Sequence, residues 1–289
     1  MTLAEAYQAG KQILLDAGIR EYGLDAWYLL EFVTGVNKAA FYLEPQQRIT
    51  ESQKAEFLSY IRERAKRVPL QYLTGEQEFM GLVFSVNRHV LIPRQDTEIL
   101  VETALEWLNS GSVPAEDGKV RMLDLCTGSG CILLSVLYYG GQKGKVEGTG
   151  TDISQEALKV ARKNAELLDI KAAFVQSDLF EKIEKKKYGM IVSNPPYIKT
   201  RDIEALEPEV REHEPLQALD GSEDGLSFYR RILRQSGNFL EEKGVLLLEI
   251  GYDQGAEIAA MMRENGYADV TVKKDLAGLD RVVFGVYDR

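Results

Sequence analysis

The sequence has few cysteines, few histidines and no obvious cluster of metal ligands. Its two cysteines, Cys126 and Cys131, are five positions apart, with no Cys-x-x-Cys pair and no histidine near them to complete a zinc site. They also provide no disulfide framework, so a reducing cytoplasm is the simplest setting. The sequence therefore predicts no metal centre and two small buried cysteines.

Long apolar runs and an excess of basic residues are absent as well. No 18 consecutive residues are apolar, which argues against a membrane span. The N-terminal residues lack the features of a signal peptide and predict an amphipathic helix. The formal net charge is −10, which repels phosphate backbones and disfavours direct nucleic-acid binding. A protein partner or a cationic small molecule fits this charge better, and we expect a monomer.

The first 75 of the 289 residues are predicted to form a small helical bundle. Thr50 and Gln53 have the spacing of a capping box at a helix start. Phe57 and Ile61 then follow at helical spacing, and Gly35 is placed to end an earlier helix. The length of the chain leaves room for a second domain.

A hairpin is predicted in the linker, residues 76–95. Phe84 and Val86 alternate with polar residues, and Val90 and Ile92 repeat the alternation after Asn87-Arg88. The linker ends at Pro93-Arg94.

Residues 96–289 are predicted to form an α/β domain, because apolar strand-like and helix-like runs alternate from Val120 onward. Strands separated by helices indicate a mainly parallel sheet, and the last two strands, joined by a short polar link, indicate an antiparallel hairpin at one edge. The result is a Rossmann-like, seven-stranded sheet. The expected strands are Met122–Leu125, Val146–Thr151, Ala172–Gln176, Met190–Ser193, Gly244–Ile250, Val270–Lys274 and Val282–Tyr287. The expected helices include Cys131–Tyr138, Gln155–Leu168, Ser227–Leu240 and Gln254–Glu264.

The first strand of this domain leads into a glycine-containing turn. Ligands of open α/β sheets bind beyond the carboxyl ends of the strands, and glycines permit close backbone approach. A dinucleotide fingerprint would require a third glycine where this chain has Leu133, which favours a ligand without a pyrophosphate. A purely structural turn is the alternative. The candidate residues are Cys126, Thr127, Gly128, Ser129 and Gly130.

Carboxylates follow the next two strands. Asp152 is placed to accept hydrogen bonds from ribose hydroxyls, although a helix cap is an alternative that Ser154 could also provide. Asp178 could bind the exocyclic amine of adenine while Leu179 packs on the ring, or it could simply cap a turn. Together with the glycine turn, these residues favour nucleoside binding.

The fourth strand ends in Asn194-Pro195-Pro196-Tyr197, the most specific feature of the chain. The prolines stiffen the turn and leave carbonyl acceptors without N–H donors. Asn194 adds a side-chain carbonyl, and Tyr197 offers an aromatic face. Two acceptors can bind the two hydrogens of a planar NH₂ group, and an aromatic ring can fix its plane. Holding both hydrogens makes the nitrogen lone pair more available to an incoming methyl group. The motif predicts methylation of an amide-like nitrogen, with adenine and glutamine both eligible; a plain Pro-Pro turn is the alternative.

These segments resemble the release factor glutamine methyltransferases, the PrmC/HemK family, over nearly the full length. The resemblance also includes Leu91–Arg94 with Thr97-Glu98, Asp220-Gly221, Asp224–Leu226 and Leu248–Gly251. It implies that Cys126–Gly130, Asp152 and Leu179 bind S-adenosylmethionine. It further implies that Asn194 contacts cofactor and substrate, and that Asn194–Tyr197 hold the glutamine of a Gly-Gly-Gln loop in class-1 peptide chain release factors. The helical bundle would recognise the body of that protein.

Two residues depart from the family pattern. Cys126 stands where the family usually has glycine, and Leu179 stands where some members have tryptophan. Since neither removes a hydrogen-bonding group, we expect altered cofactor affinity and retained activity.

The charged connection 198–225 has little helical periodicity and is predicted to form part of the substrate-docking surface. Arg94 could pair with an acidic residue there, contact the substrate or remain a surface arginine. Two other functions stay open: an adenine-N6 methyltransferase acting on a flipped base, and a non-catalytic adaptor.

Overall fold

A computed structural model describes residues 1–140 and 145–288. In these ranges the α-helices are α1 (Leu3–Asp16), α2 (Tyr22–Thr34), α3 (Lys38–Leu43), α4 (Glu51–Ala65), α5 (Leu70–Thr74), α6 (Glu98–Ser110), α7 (Cys131–Gly140), α8 (Gln155–Leu167), α9 (Pro208–His213), α10 (Ser227–Ser236) and α11 (Gly255–Glu264). The strands are β1 (Glu76–Phe79), β2 (Leu82–Ser85), β3 (Val120–Leu125), β4 (Val146–Asp152), β5 (Ala173–Gln176), β6 (Tyr188–Ser193), β7 (Leu240–Glu249), β8 (Tyr267–Lys274) and β9 (Asp280–Tyr287).

The chain divides into two compact units. The first comprises Met1–Glu76 with Glu207–His213, and the second comprises Gln77–Leu206 with Glu214–Arg289. The predicted domain interval 96–289 also contains residues 141–144 and Arg289, which lie outside the described ranges.

The first unit is a helical bundle with its own apolar core. The Thr50–Gln53 capping box that begins α4 is present, and Gly35 ends α2 in the left-handed conformation with a φ of 70°, both as predicted. Phe57 and Ile61 of α4 are fully buried. Gly10 of α1 allows this packing, because a Cβ there would lie 2.6 Å from the Phe57 ring.

Ion pairs join α9 to the bundle. The Arg64 guanidinium is nearly buried and donates to Asp25 Oδ2 at 2.7 Å and to Glu209 Oε1 at 3.1 Å. Arg67 donates to the same Glu209 oxygen at 3.2 Å. A carboxylate shared by two guanidinium groups fixes α9 in this unit.

The second unit contains the predicted seven-stranded sheet. The strand order is β5-β4-β3-β6-β7-β9-β8, and β9 pairs antiparallel with both β7 and β8 while the other neighbours are parallel. The chain moves from β3 outward to β5 and then returns to the other side of β3 with β6. That reversal is the position where open α/β sheets form ligand sites.

Both faces of the sheet are buried. Along β3, Met122 joins one apolar cluster and Leu123 the cluster on the opposite face, as the two-residue period of a strand requires. Helices α6 and α7 contribute to the first cluster, and α10 and α11 to the second. The sheet is thus a rigid support for the loops at its carboxyl edge.

Several predicted elements differ from the structure. Strands β7 and β8 begin at Leu240 and Tyr267 instead of Gly244 and Val270, and the hairpin and one helix differ as well. The hairpin is β1–β2, joined by Met80 and Gly81, both with positive φ, and Val90 and Ile92 lie outside strands. Those two side chains are buried, so their apolar positions follow the two-residue spacing of a strand although no strand forms there. Helix α10 ends at Ser236 instead of Leu240, because the Tyr188 amide donates to the Phe239 carbonyl and β7 begins at Leu240.

None of the helices in the described ranges combines the length and the apolar character needed to cross a lipid bilayer. Within the same ranges, no group of three or more His, Cys, Asp or Glu side chains is arranged to hold a metal ion.

Candidate active site

A cavity of about 750 Å³ lies within the second unit, at the carboxyl edge of its parallel strands. Strand pairing brings the ends of β3, β4 and β6 together, since Leu125 is in register with both Thr151 and Ser193. Ten predicted site residues line the cavity: Arg94, Cys126, Thr127, Gly128, Ser129, Asp152, Asp178, Leu179, Asn194 and Pro196. Among the described residues, the lining set does not include the predicted Gly130, Pro195 and Tyr197.

The glycine turn after β3 depends on left-handed backbone conformations. Gly128 and Gly130 have φ values of 55° and 81°. A Cβ on Gly130 would lie 3.2 Å from Leu134 and 3.3 Å from Ala161, so this glycine also lets the turn pack closely on α8. The Thr127 hydroxyl donates to Asp124 Oδ2 at 2.5 Å and holds the turn to the end of β3.

Asp152 supports the same turn from the end of β4. Its Oδ2 accepts from the Gly128 amide at 2.9 Å, and its Oδ1 accepts from the Ser154 amide at 2.8 Å. Burial raises the pKa of this carboxyl, and the backbone donors oppose that rise. Ser154 caps α8 with its own hydroxyl, so Asp152 is not needed as the cap. A carboxylate has further lone pairs, which remain for a ligand.

Two polar atoms beside the turn are buried without a hydrogen-bond partner among the described residues, Asp124 Oδ1 and Ser129 Oγ. Burial raises the pKa of Asp124 to about 7, against the opposing effect of the Thr127 hydrogen bond. Orphaned buried acceptors normally mark a ligand or solvent contact. Ser129 and Asp152 both line the cavity, and their oxygens fit S-adenosylmethionine, which carries an ammonium group, a sulfonium group and a ribose.

The residues after β5 close one side of the cavity. Asp178 forms an ion pair with Arg231 of α10, with 2.8 Å between Oδ2 and the guanidinium nitrogen. Leu179 is 3 % exposed, and its φ is 49°. The leucine thus offers an apolar surface next to a charged pair.

Asn194 is held at the end of β6 by a residue from the start of α6. Its Nδ2 donates to Thr97 Oγ1 at 3.4 Å, which leaves Oδ1 as the acceptor available to a ligand in the cavity. The Tyr197 ring packs against the apolar cluster of the α10–α11 face, and its hydroxyl donates to Glu249 Oε1 at 3.5 Å. Burial, reinforced by the Glu249 charge, raises the Tyr197 pKa above its ordinary value.

The exit from the Asn-Pro-Pro-Tyr turn is fixed by backbone contacts. The Gln254 amide group donates to the carbonyls of Tyr197 at 3.1 Å and Gly225 at 3.3 Å. Gly221 is needed for this packing, since a Cβ there would lie 2.7 Å from the Tyr197 Cα. The Asp220–Leu226 segment therefore supports the turn directly.

Part of the 198–225 connection reaches the cavity. Residues 215–218 lie in its wall together with Asp220 and Ser222. Of the alternatives left open for Arg94, an ion pair with the connection is present, since its guanidinium pairs with Glu214, whose side chain is 1 % exposed. Contrary to the expectation of little helix, the connection contains α9 and the 3₁₀ turns Thr200–Ala205 and Leu216–Ala218.

Comparison with known proteins agrees with this arrangement. Residues 5–75 match the family model described as the PrmC N-terminal domain, and residues 102–208 match the methyltransferase small domain. A release factor glutamine methyltransferase of Caulobacter vibrioides is 40% identical over 288 residues, covering 99% of this chain and 96% of the relative. The chain belongs to the release factor glutamine methyltransferases. Members of this family depend on S-adenosylmethionine.

Further similarities agree with this assignment. A release factor glutamine methyltransferase of Agrobacterium fabrum is 38% identical, covering 98% of this chain and 96% of the relative. The crystal structure of a methyltransferase from Pyrococcus furiosus aligns with a TM-score of 0.53 at 15% identity, covering 83% of this chain and all of that one. At such identity the structural match supports the fold alone.

The two departures from the pattern of release factor glutamine methyltransferases share a backbone feature. Cys126, where the family usually has glycine, has a φ of 59°, and Leu179 has a φ of 49°. A side chain in this region costs roughly 1–2 kcal/mol relative to its ordinary conformation. The loops therefore keep a conformation suited to glycine while carrying larger residues.

Thr97 and Glu249 belong to segments of the family resemblance, but neither of them was assigned a role in the site from the sequence. Both are nearly buried, at 3 % and 2 % exposed, and both lie next to the Asn194–Tyr197 turn. A signal for Glu249 was present, because it is a carboxylate directly after the buried apolar run 245–248 at the end of β7. The resemblance includes Thr97, but its contact with Asn194 is made only in the folded chain.

Proposed function

We propose that this protein transfers a methyl group from S-adenosylmethionine to the side-chain amide nitrogen (N5) of the glutamine in the Gly-Gly-Gln motif of class-1 peptide chain release factors, supporting translation termination. The observation that carries the proposal is the position of Asn194 in the cavity that Asp152 and the glycine turn also line. The residue proposed to bind the substrate amide and the residues proposed to bind the nucleoside of the cofactor thus line the same cavity.

Within this proposal, Cys126–Gly130, Asp152, Asp178, Leu179 and Asn194 hold the cofactor. When bound, S-adenosylmethionine supplies an electrophilic methyl group. Asp152 provides a carboxylate acceptor in the wall of the cavity, consistent with a ligand that donates hydrogen bonds.

The protein's own contribution to the reaction is orientation of a poor nucleophile. Asn194 Oδ1 and the Pro195 carbonyl accept the two amide hydrogens, which favours lone-pair development at nitrogen. Holding both reacting groups in one cavity removes much of the entropic barrier. The raised pKa of Tyr197 makes it a donor to Glu249 and unsuitable as a base, and a proton can leave the amide after transfer.

The remaining assignments concern substrate recognition. We assign residues 1–75 to recognition of the release factor body, 76–95 to the linker and 96–289 to methyl transfer in the cytoplasm. Pro196 and Arg94 line the cavity and are proposed to contact the substrate loop. Contact between the Tyr197 ring and the glutamine amide stays a prediction.

Methyl transfer from labelled S-adenosylmethionine to a purified class-1 release factor tests the proposal. We expect one methyl group, which peptide mass spectrometry locates on the Gly-Gly-Gln glutamine. A release factor with glutamate at that position is the matched control and should accept none. Label on duplex DNA in place of the release factor would support the adenine methyltransferase instead.

A further inference from the structure

Asn164 is a fully buried polar residue near the end of α8. Its Oδ1 accepts a hydrogen bond from the Ser85 amide at 2.7 Å, and its Nδ2 donates to the Ser85 carbonyl at 3.0 Å. The same Nδ2 donates to the Ser129 carbonyl at 2.9 Å. One carboxamide therefore joins Ser85, the last residue of β2, to the glycine turn that follows β3.

These three contacts require a neutral amide at position 164. A side-chain amide offers an acceptor oxygen and two donor hydrogens, and its partners here are one backbone N–H and two carbonyls. An aspartate of the same shape would place a carboxylate oxygen against both carbonyls and would bury its charge. Asn164 is therefore suited to holding two backbone segments together, beyond filling space in the core.

At one end of this bridge, Asn164 holds Ser129 in the wall of the cavity. Ser129 is nearly buried and lies between Gly128 and Gly130, which both have positive φ. Because glycine backbones are permissive, the position of the peptide between them depends on contacts from outside the turn. The Asn164 amide supplies such a contact from α8.

At the other end, Asn164 holds the start of a segment that reaches the same cavity. Residues 86–94 follow Ser85 directly, and both Leu91 and Arg94 lie in the cavity wall. The described part of that wall contains no residue of β2. Asn164 therefore links two parts of the wall through a strand that does not contribute to it.

We propose that Asn164 is a positioning residue that couples S-adenosylmethionine binding to the order of residues 86–94. Cofactor bound against the turn restrains Ser129, and the shared amide extends that restraint to Ser85 and the residues after it. Asn164 is not assigned to the reacting atoms. The inference rests on the proposed function, which places the cofactor at the turn and the release factor loop at Arg94. It adds that a bound cofactor orders the wall that the release factor meets.

Hydrogen exchange of the full chain, with and without saturating S-adenosylmethionine, measures the coupling. We expect cofactor to slow exchange in the peptide covering residues 82–86 by about fivefold or more, the lower range of coupling between two sites. That slowing should exceed the slowing in the central strand β6, which exchanges only when the whole unit unfolds. Mass spectrometry of the two peptides gives both values.

Asn164→Ala should lose the additional slowing at 82–86 and keep the slowing in β6, when each protein is compared at the same multiple of its own Kd. Its calorimetric Kd for S-adenosylmethionine should rise about tenfold, because the turn loses a buried hydrogen bond. A residue needed only for stability would lower the midpoint of unfolding without changing how 82–86 responds to cofactor.

Lys163→Met is the matched control. The exposed Lys163 donates to Ser85 Oγ at 2.9 Å, a contact to β2 and not to the turn. Its Kd for S-adenosylmethionine should stay within about twofold of the wild-type value, and the cofactor should still slow exchange at 82–86.

Equal slowing of 82–86 and β6 in the wild-type protein would overturn the coupling, and this comparison decides the question even if Asn164→Ala does not fold. A wild-type response of 82–86 in Asn164→Ala would overturn it as well. Neither measurement uses a release factor. Failure of the wild-type protein to methylate release factor would therefore count against the proposed function alone.

Discussion

The Gly128 amide lies 2.9 Å from Asp152 Oδ2, so the carboxylate at the end of one strand fixes the glycine turn that follows its neighbour. The second carboxylate oxygen accepts from Ser154. One side chain thus orders two adjacent loops and still has lone pairs free toward the cavity. Cofactor affinity should depend on it more strongly than overall stability does.

Asp152→Ala should weaken S-adenosylmethionine binding about ten- to a hundredfold, the equivalent of one or two charge-assisted hydrogen bonds. Isothermal titration calorimetry measures the change. Ser154→Ala is the control, because it removes the cap of α8 and should cost about 1 kcal/mol of stability with little change in affinity. Equal loss of affinity in both variants would mean that Asp152 acts only through the fold.

Gly130→Ala should destabilise the protein more than Gly128→Ala does. Both glycines have positive φ, so each alanine incurs about 1–2 kcal/mol of backbone strain. Only at Gly130 would the new Cβ also press against Leu134 and Ala161, whereas nothing lies within 4 Å at Gly128. Urea unfolding of the two variants measures the difference. Equal stabilities would contradict the close packing of the turn on α8.

Arg94→Ala should destabilise the protein by about 1–3 kcal/mol, because it leaves the Glu214 carboxyl buried and unpaired. Burial already raises the Glu214 pKa above its ordinary 4.5, against the effect of Arg94. The folded protein therefore favours protonated Glu214 more than the unfolded chain does. This contribution to the free energy of unfolding is lost as pH rises through the raised Glu214 pKa, where the buried carboxyl becomes charged. The penalty should therefore be larger at about pH 8 than at about pH 5.

Chemical denaturation at the two pH values measures that penalty. Arg94→Lys is the control, since it keeps the positive charge and should lose less stability. A penalty independent of pH would show that Arg94 does not compensate the Glu214 charge.

Much of the fold was predictable because the central strands β3 and β6 are buried on both faces and form short apolar runs in the sequence. The positions of Asp152 and Asn194 followed from that pattern, since parallel strands end at the same edge. The hairpin was misplaced because burial of Val90 and Ile92 follows a two-residue period without strand pairing. Backbone conformation at Met80-Gly81 decides the turn, and apolar spacing does not reveal it.

The contacts that hold the Asn-Pro-Pro-Tyr turn in place were not predictable from the sequence in the same way. Thr97 and Asn194 are 97 positions apart in the sequence, and the hydrogen bond between them exists only once α6 packs on the sheet. The buried Glu249 carboxyl likewise meets Tyr197, its hydrogen-bond donor, only in the folded chain. Local patterns identify residues that face a ligand, whereas the residues that orient them depend on tertiary contacts.

The Asn194→Ala variant tests the central claim most directly, in a single-turnover assay with labelled S-adenosylmethionine and a class-1 release factor. We expect methylation of the Gly-Gly-Gln glutamine to be lost, because no side-chain acceptor remains for the substrate nitrogen, while the fold and most cofactor binding persist. Methyl transfer by Asn194→Ala at the wild-type rate would contradict the account.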